Sequence, residues 1–576
     1  MNPLQEVCLE IIHELKKKRN KIRNQASFNS LKLKIVRKHN MERIPKNIDI
    51  ANAASKKDRE RFKDILTIKP ARTISGVAVV AIMGKPYKCP HKKACIYCPG
   101  GVGSVFGNMP QSYTGKEPAT RRAIRNKFDP YLQVMNRLEH YAAMNKSFDK
   151  VELIIMGGTF PSFPSKYQKE FIKSSFKAMN DFSDTFFKKK ELDFDKLSKF
   201  FELDKDVNDK ERVKRIHKRL LEMKDKGKNG IEAEKEKNET ANIRCVSLVL
   251  ETRPDYAKLK HANKMLEMGC TKVEMGVQTI YDDILKKIGR GHSSDDIINS
   301  TKALKDLGFK VCYHVMPGLP GVDRKKDLFA LQALFGYEEL RPDMLKIYPC
   351  MVLKGTRLYK LWKKKKFKPI TTMQAANLIA DFKKIVPNWV RIQRVQRDVP
   401  TFMTEAGVDR TNLRQYIEKV MKKRKVKCKC IRCREAGHFL MNHKKVKVGK
   451  IEILVHHYLA SDGNEFFISA EDVKNDILFG FCRLRFPNSY LRKEINDDTA
   501  LIRELHVFSP AVAIGKKSKS SYQHRGIGRK LMGVAEETAK TYYKKKMVVI
   551  SGVGAKEYFR KKLGYKKEGP YMSKKL

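Results

Sequence analysis

Seven short apolar runs, separated by segments of helical pattern, constrain the fold of residues 76–400 more than any other feature. Short apolar runs that alternate with helices are typical of parallel strands that are buried on both faces. The pattern predicts an α/β domain built as a partial parallel α/β barrel. The runs are 77–83, 151–156, 246–250, 273–277, 311–316, 345–348 and 390–395.

Two segments depart from this alternation. Residues from about 178 to 240 are highly charged and poor in strand-forming residues, so we expect an insertion of solvated helices there. From Gly449 onward, alternating strand patterns are followed by a helix after Gly528 and one more strand, which predicts an α+β domain over residues 451–576. The predicted strands are 451–459, 465–469, 478–486, 500–508 and 547–551.

The charge of the chain is extreme and one-sided. Lys and Arg number 121 against 64 Asp and Glu, a net charge of +57, which indicates a polyanionic partner, with nucleic acid as the leading candidate. A lysine-rich proteome adapted to heat or salt is the alternative.

Residues 1–75 carry 19 basic against 8 acidic residues, and Leu4, Val7, Ile11, Ile12 and Leu15 recur at helical spacing. We therefore expect a basic helical extension that binds nucleic acid.

No run of about 18 apolar residues is present, so we expect no membrane span. The first residues lack the pattern of a secretory signal, and we expect a cytoplasmic protein. In that compartment, cysteines are more often ligands or buried thiols than disulfides.

Cys89, Cys95 and Cys98 lie within ten residues, directly after the first predicted strand. Three thiolates can hold three irons of a 4Fe-4S cluster and leave the fourth iron open for a substrate or cofactor. A zinc site with His91 as the fourth ligand is the alternative.

A second cluster, Cys428, Cys430 and Cys433, falls in a Lys- and Arg-rich linker over residues 401–450. With His438 or His443 as a fourth ligand, these thiols suit a structural zinc ion. A second iron–sulfur cluster and free thiols are the alternatives.

Near the end of the chain, Gln523-His-Arg-Gly-Ile-Gly528 precedes a predicted helix. Backbone N–H groups and the helix dipole at such a helix start can face a pyrophosphate. A simple glycine turn is the alternative.

These motifs together resemble a known family. The spacing C-x5-C-x2-C followed by Pro-Gly-Gly, with residues 111–118 and 121–125 after it, resembles the radical S-adenosylmethionine domain of the catalytic subunit of Elongator and its archaeal homologues. The order of segments 504–507, 523–528 and 558–565 is similar to that of GNAT-type acetyltransferases.

The resemblance implies two cofactor sites. The cluster at Cys89, Cys95 and Cys98 would bind S-adenosylmethionine, and polar groups at the ends of predicted strands would line its site: Gly157, Gly158, Thr159, Glu251, Arg253 and Gln278. The acetyl-CoA side would comprise Glu504, Leu505, His506, Val507, Gln523, Gly526, Ile527, Gly528 and Tyr558. Lys150 matches a position at which family members contact acetyl-CoA, so Lys150 and Tyr558 are the candidate catalytic residues. A solvated lysine and a packed tyrosine are the alternatives.

The resemblance also implies the reaction. An adenosyl radical would abstract hydrogen from the acetyl methyl group, the carbon radical would add to C5 of the wobble uridine of tRNA, and hydrolysis of the thioester would leave 5-carboxymethyluridine. Protein lysine acetylation and a non-catalytic tRNA-binding scaffold are the competing hypotheses. A homodimer is one assembly left open, and the sequence does not identify accessory subunits.

Overall fold

A computed structural model describes residues 3–17, 22, 25–66, 74–91, 93–206, 209–227, 229–443, 446–508 and 526–576. The first region is helical and has a small core of its own. Helix α1 places Val7, Ile11 and Leu15 on one buried face, and its acidic first turn and basic last turn complement the helix dipole. The helices are α1 Pro3–Lys17, α2 Gln25–Lys38, α3 Asn47–Ala53, α4 Lys56–Arg61 and α5 Lys63–Leu66.

The central region contains a seven-stranded, all-parallel sheet. Its order is β1-β2-β5-β6-β7-β8-β10, and β1 and β10 form its two edges, so the sheet is an open, partial barrel. Each of the seven apolar runs forms one of these strands, which confirms the predicted fold class. The strands of the region are β1 Ala78–Met83, β2 Lys150–Met156, β3 Phe187–Lys188, β4 Glu191–Leu192, β5 Arg244–Thr252, β6 Cys270–Gln278, β7 Lys310–Val315, β8 Met344–Ile347, β9 Val352–Leu353, β10 Arg391–Arg394 and β11 Thr404–Ala406.

Helices cover the outer face of this sheet. Several begin at side-chain caps, such as the reciprocal capping boxes at Ser293 and Thr371, which satisfy backbone N–H groups at the helix starts. The helices are α6 Pro118–Arg125, α7 Pro130–Ala143, α8 Ser165–Phe186, α9 Phe194–Phe201, α10 Lys210–Asp225, α11 Ile231–Thr240, α12 Leu259–Glu267, α13 Asp282–Lys287, α14 Ser294–Asp306, α15 Arg324–Gly336, α16 Arg357–Lys363, α17 Thr372–Lys383 and α18 Leu413–Lys423.

The charged segment 178–240 forms helices, as its composition indicates, but the expectation that they are merely solvated is wrong. Phe182, Phe186 and Phe201 are fully buried in the main core, and the Asn180 amide donates to the Glu234 backbone carbonyl oxygen at 2.9 Å. Phe182 and Phe186 lie four apart on α8, where the surrounding lysines and acids conceal their helical spacing, and Phe201 ends α9.

The C-terminal region is a second seven-stranded sheet, mostly antiparallel, with the order β12-β13-β14-β15-β16-β18-β17. Two short helices of the linker precede it. The elements are α19 Ile431–Arg434, α20 Ala436–Asn442, β12 Glu452–Ala460, β13 Gly463–Asp472, β14 Ile477–Phe486, β15 Thr499–Val507, α21 Ile527–Thr541, β16 Lys546–Val549, α22 Lys556–Leu563, β17 Lys566–Glu568 and β18 Tyr571–Lys575. Among the described residues, no helix is both long and apolar enough to cross a membrane.

A buried charge network joins the C-terminal sheet to the partial barrel. Arg503 on β15 donates to Asp343, which precedes β8, at 2.6 Å and to Glu465 on β13 at 2.9 Å. Four cations face four carboxylates, and all but Glu504 are fully buried, so the charges compensate one another without solvent. The eight residues are Lys305, Arg483, Arg485, Arg503, Asp306, Asp343, Glu465 and Glu504.

Substituting Asp343→Asn removes one negative charge and leaves Arg503 and Arg483 undercompensated in the interior. Breaking a buried pair in this way typically costs about 3–5 kcal/mol. We expect a loss of that size in the free energy of unfolding, measured by denaturant titration of the whole chain. The control, Glu537→Gln, breaks an exposed pair with Lys540 and should cost below about 1 kcal/mol. Equal losses in the two variants would contradict a stabilising role for the network.

Candidate active site

One cavity of about 1350 Å³ connects the inside of the partial barrel to the C-terminal sheet. Cys89, Cys95 and Cys98 line one part of it, and Gly526, Gly528 and Tyr558 line another. The two motifs that the sequence separates by more than 400 residues therefore open onto the same space.

The cysteine loop follows β1 and is fixed by contacts to the segment after helix α13 and to Gln111. The Ile96 N–H donates to the Ile288 carbonyl oxygen at 3.0 Å, and the Gln111 amide nitrogen lies 2.9 Å from the Cys98 sulfur. The Arg290 guanidinium approaches the Cys95 sulfur at 3.8 Å and supplies positive charge. Three soft donors beside a cation and an open cavity suit an iron–sulfur cluster. His91, the alternative ligand, directs Nε2 to Asp255 at 3.1 Å.

Burial and the neighbouring Cys95 raise the pKa of the Cys98 thiol. Thiolates at this position therefore require a compensating positive charge, which a bound metal cluster would supply.

The predicted strand-end residues meet at the same rim of the sheet. Gly158 has φ +92°, and a Cβ there would lie 2.8 Å from the Gln111 side chain, so a larger residue would not fit. Gln278 ends β6 with φ +69°, a strained conformation for a residue with a side chain. Thr159, Glu251 and Arg253 line the cavity with them, whereas Gly157 packs against Gly84.

Tyr113 and Gln111 belong to this rim but were not among the predicted site residues. The Tyr113 hydroxyl donates to the Glu251 carboxylate at 2.9 Å. Both lie in the segment 111–118 that carries the family resemblance, so that resemblance was the sequence signal that could have identified them as site residues.

At the other part of the cavity, strand β15 separates from the neighbouring strand β16. It pairs with β16 only through residues Thr499 to Ile502, whereas its pairing with β14 continues to Val507. Residues 504–507 therefore lie beyond the described stretch of β15 that pairs with β16 and border the cavity, as expected of a splayed strand that binds a ligand. Of their side chains, Glu504 accepts from Arg483 at 3.0 Å, and His506 Nε2 lies 3.1 Å from the Ser75 carbonyl oxygen.

Helix α21 begins beside this edge. Gly526 caps it with φ +84°, and Ile527 and Gly528 supply the first backbone N–H groups of a 15-residue helix. A Cβ on Gly528 would lie 2.8 Å from the Tyr558 hydroxyl oxygen, so the two residues are in close contact. Gln523 lies outside the described residues.

Lys150 begins β2 and pairs in register with Arg244 on β5, and both line the cavity. Burial lowers the pKa of Lys150, Asp149 opposes this effect, and Arg244 adds to it. Two adjacent cations in a cavity form an anion-binding surface. Arg244 was not predicted, because an arginine at a strand start has no distinctive sequence signal.

The interior of the barrel holds an unpredicted row of alternating charges. Lys272 lies 3.1 Å from Glu152 and 3.5 Å from Glu274, and Lys346 contacts Glu274 and lies 3.9 Å from Glu251. Glu274, Cys312 and His314 could together coordinate a metal, since their ligand atoms lie within 4.8 Å of one another. The two ammonium groups beside Glu274 already neutralise it, however, and would repel a further cation.

The second cysteine cluster brings its three sulfur atoms within 4.8 Å of one another. The Lys383 ammonium lies 3.4 Å from the Cys433 sulfur, which favours thiolates. His438 Nε2 contacts Glu435 at 3.0 Å, and His443 Nδ1 lies 3.0 Å from the Phe439 carbonyl oxygen. The three thiols fit a zinc site, and the choice between the two histidines as fourth ligand stays a prediction.

Comparisons with known proteins agree with this geometry. The ELP3 N-terminal domain matches residues 4–74, the Radical SAM superfamily matches residues 86–331, and the Radical_SAM C-terminal domain matches residues 342–423. A tRNA uridine(34) acetyltransferase of Methanocaldococcus jannaschii is 46% identical over 536 residues, 92% of this chain and 90% of that protein. Elongator complex protein 3 of Schizosaccharomyces pombe is 39% identical, covering 99% of this chain and 98% of that protein.

A solved structure is similar over most of the fold. The archaeal Methanocaldococcus infernus Elp3, lacking residues 1–46, is 40% identical, with a TM-score of 0.70. The match covers 88% of this chain and 100% of that one. The similarity therefore extends over most of this chain.

Substituting Gly528→Ala tests the close contact at the start of α21. The added methyl would press on the Tyr558 hydroxyl, and overpacking of this kind costs about 1–3 kcal/mol. We expect acetyl-CoA binding, measured by calorimetry, to weaken roughly ten- to a hundredfold. The control, Gly533→Ala in the same helix, adds a methyl with no heavy atom within 4 Å and should bind normally. Unchanged acetyl-CoA binding in both variants would contradict the prediction that the start of α21 belongs to the acetyl-CoA site.

Proposed function

The chain belongs to the Elongator complex protein 3 family, and on that premise we propose that it modifies the wobble uridine of tRNA to 5-carboxymethyluridine. The proposed enzyme uses acetyl-CoA as the carbon source and S-adenosylmethionine as the radical source. The observation that carries this proposal is the single cavity lined both by Cys89, Cys95 and Cys98 and by Gly526, Gly528 and Tyr558. A protein lysine acetyltransferase would not need the first of these sets.

The cysteines are proposed to hold a 4Fe-4S cluster, which supplies the electron that cleaves S-adenosylmethionine. The residues around it orient the cofactor. Glu251, which accepts a hydrogen bond from Tyr113, offers a carboxylate for hydrogen bonds to a ribose, and Gly158 leaves room for the Gln111 side chain at the same rim. Arg253 Nε donates to Asp255 Oδ1 at 2.9 Å, and the Arg253 side chain lies at the same rim.

On the other side, the start of α21 and the cations Lys150 and Arg244 are proposed to bind the phosphates of acetyl-CoA. The splayed edge at residues 504–507 would bind the pantetheine amides, and the Tyr558 hydroxyl would orient the thioester. Burial raises the pKa of Tyr558, so the hydroxyl stays protonated and can donate a hydrogen bond.

The basic N-terminal helices α1–α5 and the net charge of +57 support binding of the tRNA backbone. A zinc ion at Cys428, Cys430 and Cys433 would stabilise the junction between the two sheets. The homodimer and any accessory subunits stay predictions.

Substituting Cys98→Ser removes one of the proposed cluster ligands. After anaerobic reconstitution with reductant, S-adenosylmethionine, acetyl-CoA and tRNA, we expect the native protein to form 5'-deoxyadenosine and modified uridine. The Cys98→Ser variant should form neither, as measured by mass spectrometry. Cys270→Ala, a buried cysteine on β6 in the hydrophobic core, serves as the control and should retain both products. Full activity of Cys98→Ser would contradict the radical mechanism.

A further inference from the structure

The middle of the cavity contains an imidazole, a phenol and a carboxamide from three neighbouring strands. His314 lies on β7, Tyr348 follows β8 and Gln393 lies on β10, and all three line the cavity. The rings of His314 and Tyr348 are 5.4 Å apart at an interplanar angle of 72°. None of these residues holds the proposed cluster or the proposed acetyl-CoA phosphates, so their role is still to be assigned.

The structure fixes which nitrogen of His314 carries the proton. Glu274 is fully buried between Lys346 and Lys272 and lies 3.1 Å from His314 Nε2. Although burial opposes ionisation, Lys346 and Lys272 hold the pKa of Glu274 well below its usual range, so it is a carboxylate that only accepts hydrogen bonds. Nε2 must therefore carry the proton that it donates.

The second nitrogen of the ring is then an acceptor. Burial and the nearby Lys346 lower the pKa of His314, which keeps the ring neutral. A neutral imidazole with its proton on Nε2 has a lone pair on Nδ1. The side chain is 14% exposed, and this exposure opens into the cavity, where a ligand can reach the ring.

The other two side chains retain hydrogen-bonding capacity. The Gln393 amide nitrogen donates to the Met344 sulfur at 3.2 Å, and its oxygen accepts from the Cys312 thiol at 3.8 Å. Sulfur is a weak donor and a weak acceptor, so these contacts satisfy the amide poorly. The Tyr348 side chain is half-buried and lines the cavity, where its hydroxyl can donate a hydrogen bond to a ligand.

We propose that His314, Tyr348 and Gln393 bind the uracil ring of the substrate and select it through its N3–H group. Uracil presents one N–H donor between two carbonyl oxygens. The Nδ1 atom of His314 accepts from N3–H, while the Gln393 amide and the Tyr348 hydroxyl donate to the flanking carbonyl oxygens. Cytosine has no hydrogen on N3, so it would leave the His314 acceptor facing another lone pair. This inference rests on the proposed function and names its determinants of base selectivity.

The test compares anticodon stem-loop RNAs that differ only at the target position, which is uridine, 3-methyluridine or cytidine. For the native reconstituted protein, we expect kcat/KM with 3-methyluridine to fall about a hundredfold, because a site built to hydrogen-bond one group rejects analogues that lack it. Modified nucleoside is measured by mass spectrometry, and RNA-dependent 5'-deoxyadenosine formation is measured alongside it.

The decisive variant is His314→Phe, which keeps a ring against Tyr348 but removes the acceptor. We expect activity on uridine to fall about a hundredfold and the preference for uridine over 3-methyluridine to shrink to within about threefold. His457→Phe, on the exposed strand β12, is the control and should retain both the activity and the preference.

The outcomes separate this inference from the proposed function. If native protein does not modify uridine, the proposed function fails. If native protein is active but His314→Phe keeps its preference for uridine, the selectivity role of His314 is overturned. The role is also overturned if His314→Phe lowers kcat equally on all three stem-loop RNAs and alters the pH profile. If His314→Phe does not fold, Gln393→Leu decides: a KM for uridine RNA raised about tenfold supports the base pocket, and an unchanged KM contradicts it.

Discussion

The buried charge network between the two sheets is the interaction on which the rest of the structure depends. Arg503 binds Asp343 of the partial barrel and Glu465 of the C-terminal sheet, and it directly precedes residues 504–507, the splayed edge of β15. One strand therefore carries both the domain contact and the proposed acetyl-CoA edge. Because displaced charges would lose their compensation in the interior, the network holds β14 and β15 against the partial barrel.

The polar interior of the barrel is the second consequence of this arrangement. In closed eight-stranded barrels, branched apolar residues fill the interior. Here the sheet is open, and Glu274 and Lys346 line the cavity between the cysteine loop and the C-terminal sheet, while the buried Lys272 lies 3.5 Å from Glu274. Their mutual neutralisation keeps ionised groups inside the protein without a bound metal, and it fixes the protonation of His314.

The sequence predicted the fold well because strand runs buried on both faces are continuous, which is the strongest local signal of a parallel sheet. It also identified the family correctly. The interior charges escaped prediction, because Lys272 and Glu274 on β6 and Lys346 on β8 stand among apolar residues, and only the fold brings Lys346 to Glu274 and Lys272 to Glu152. Arg244 carried no distinctive sequence signal, the buried aromatic residues of α8 were hidden among charged residues, and Gln523 lies outside the described residues.

The central claim is that two cofactors act on one another within one cavity. It is tested most directly by supplying acetyl-CoA with a deuterated methyl group, together with S-adenosylmethionine, reductant and tRNA. The deuterium content of the 5'-deoxyadenosine formed is then measured by mass spectrometry. If the acetyl methyl group meets the adenosyl radical, the nucleoside gains deuterium as modified uridine appears. Modified uridine accompanied by deuterium-free 5'-deoxyadenosine would contradict the claim.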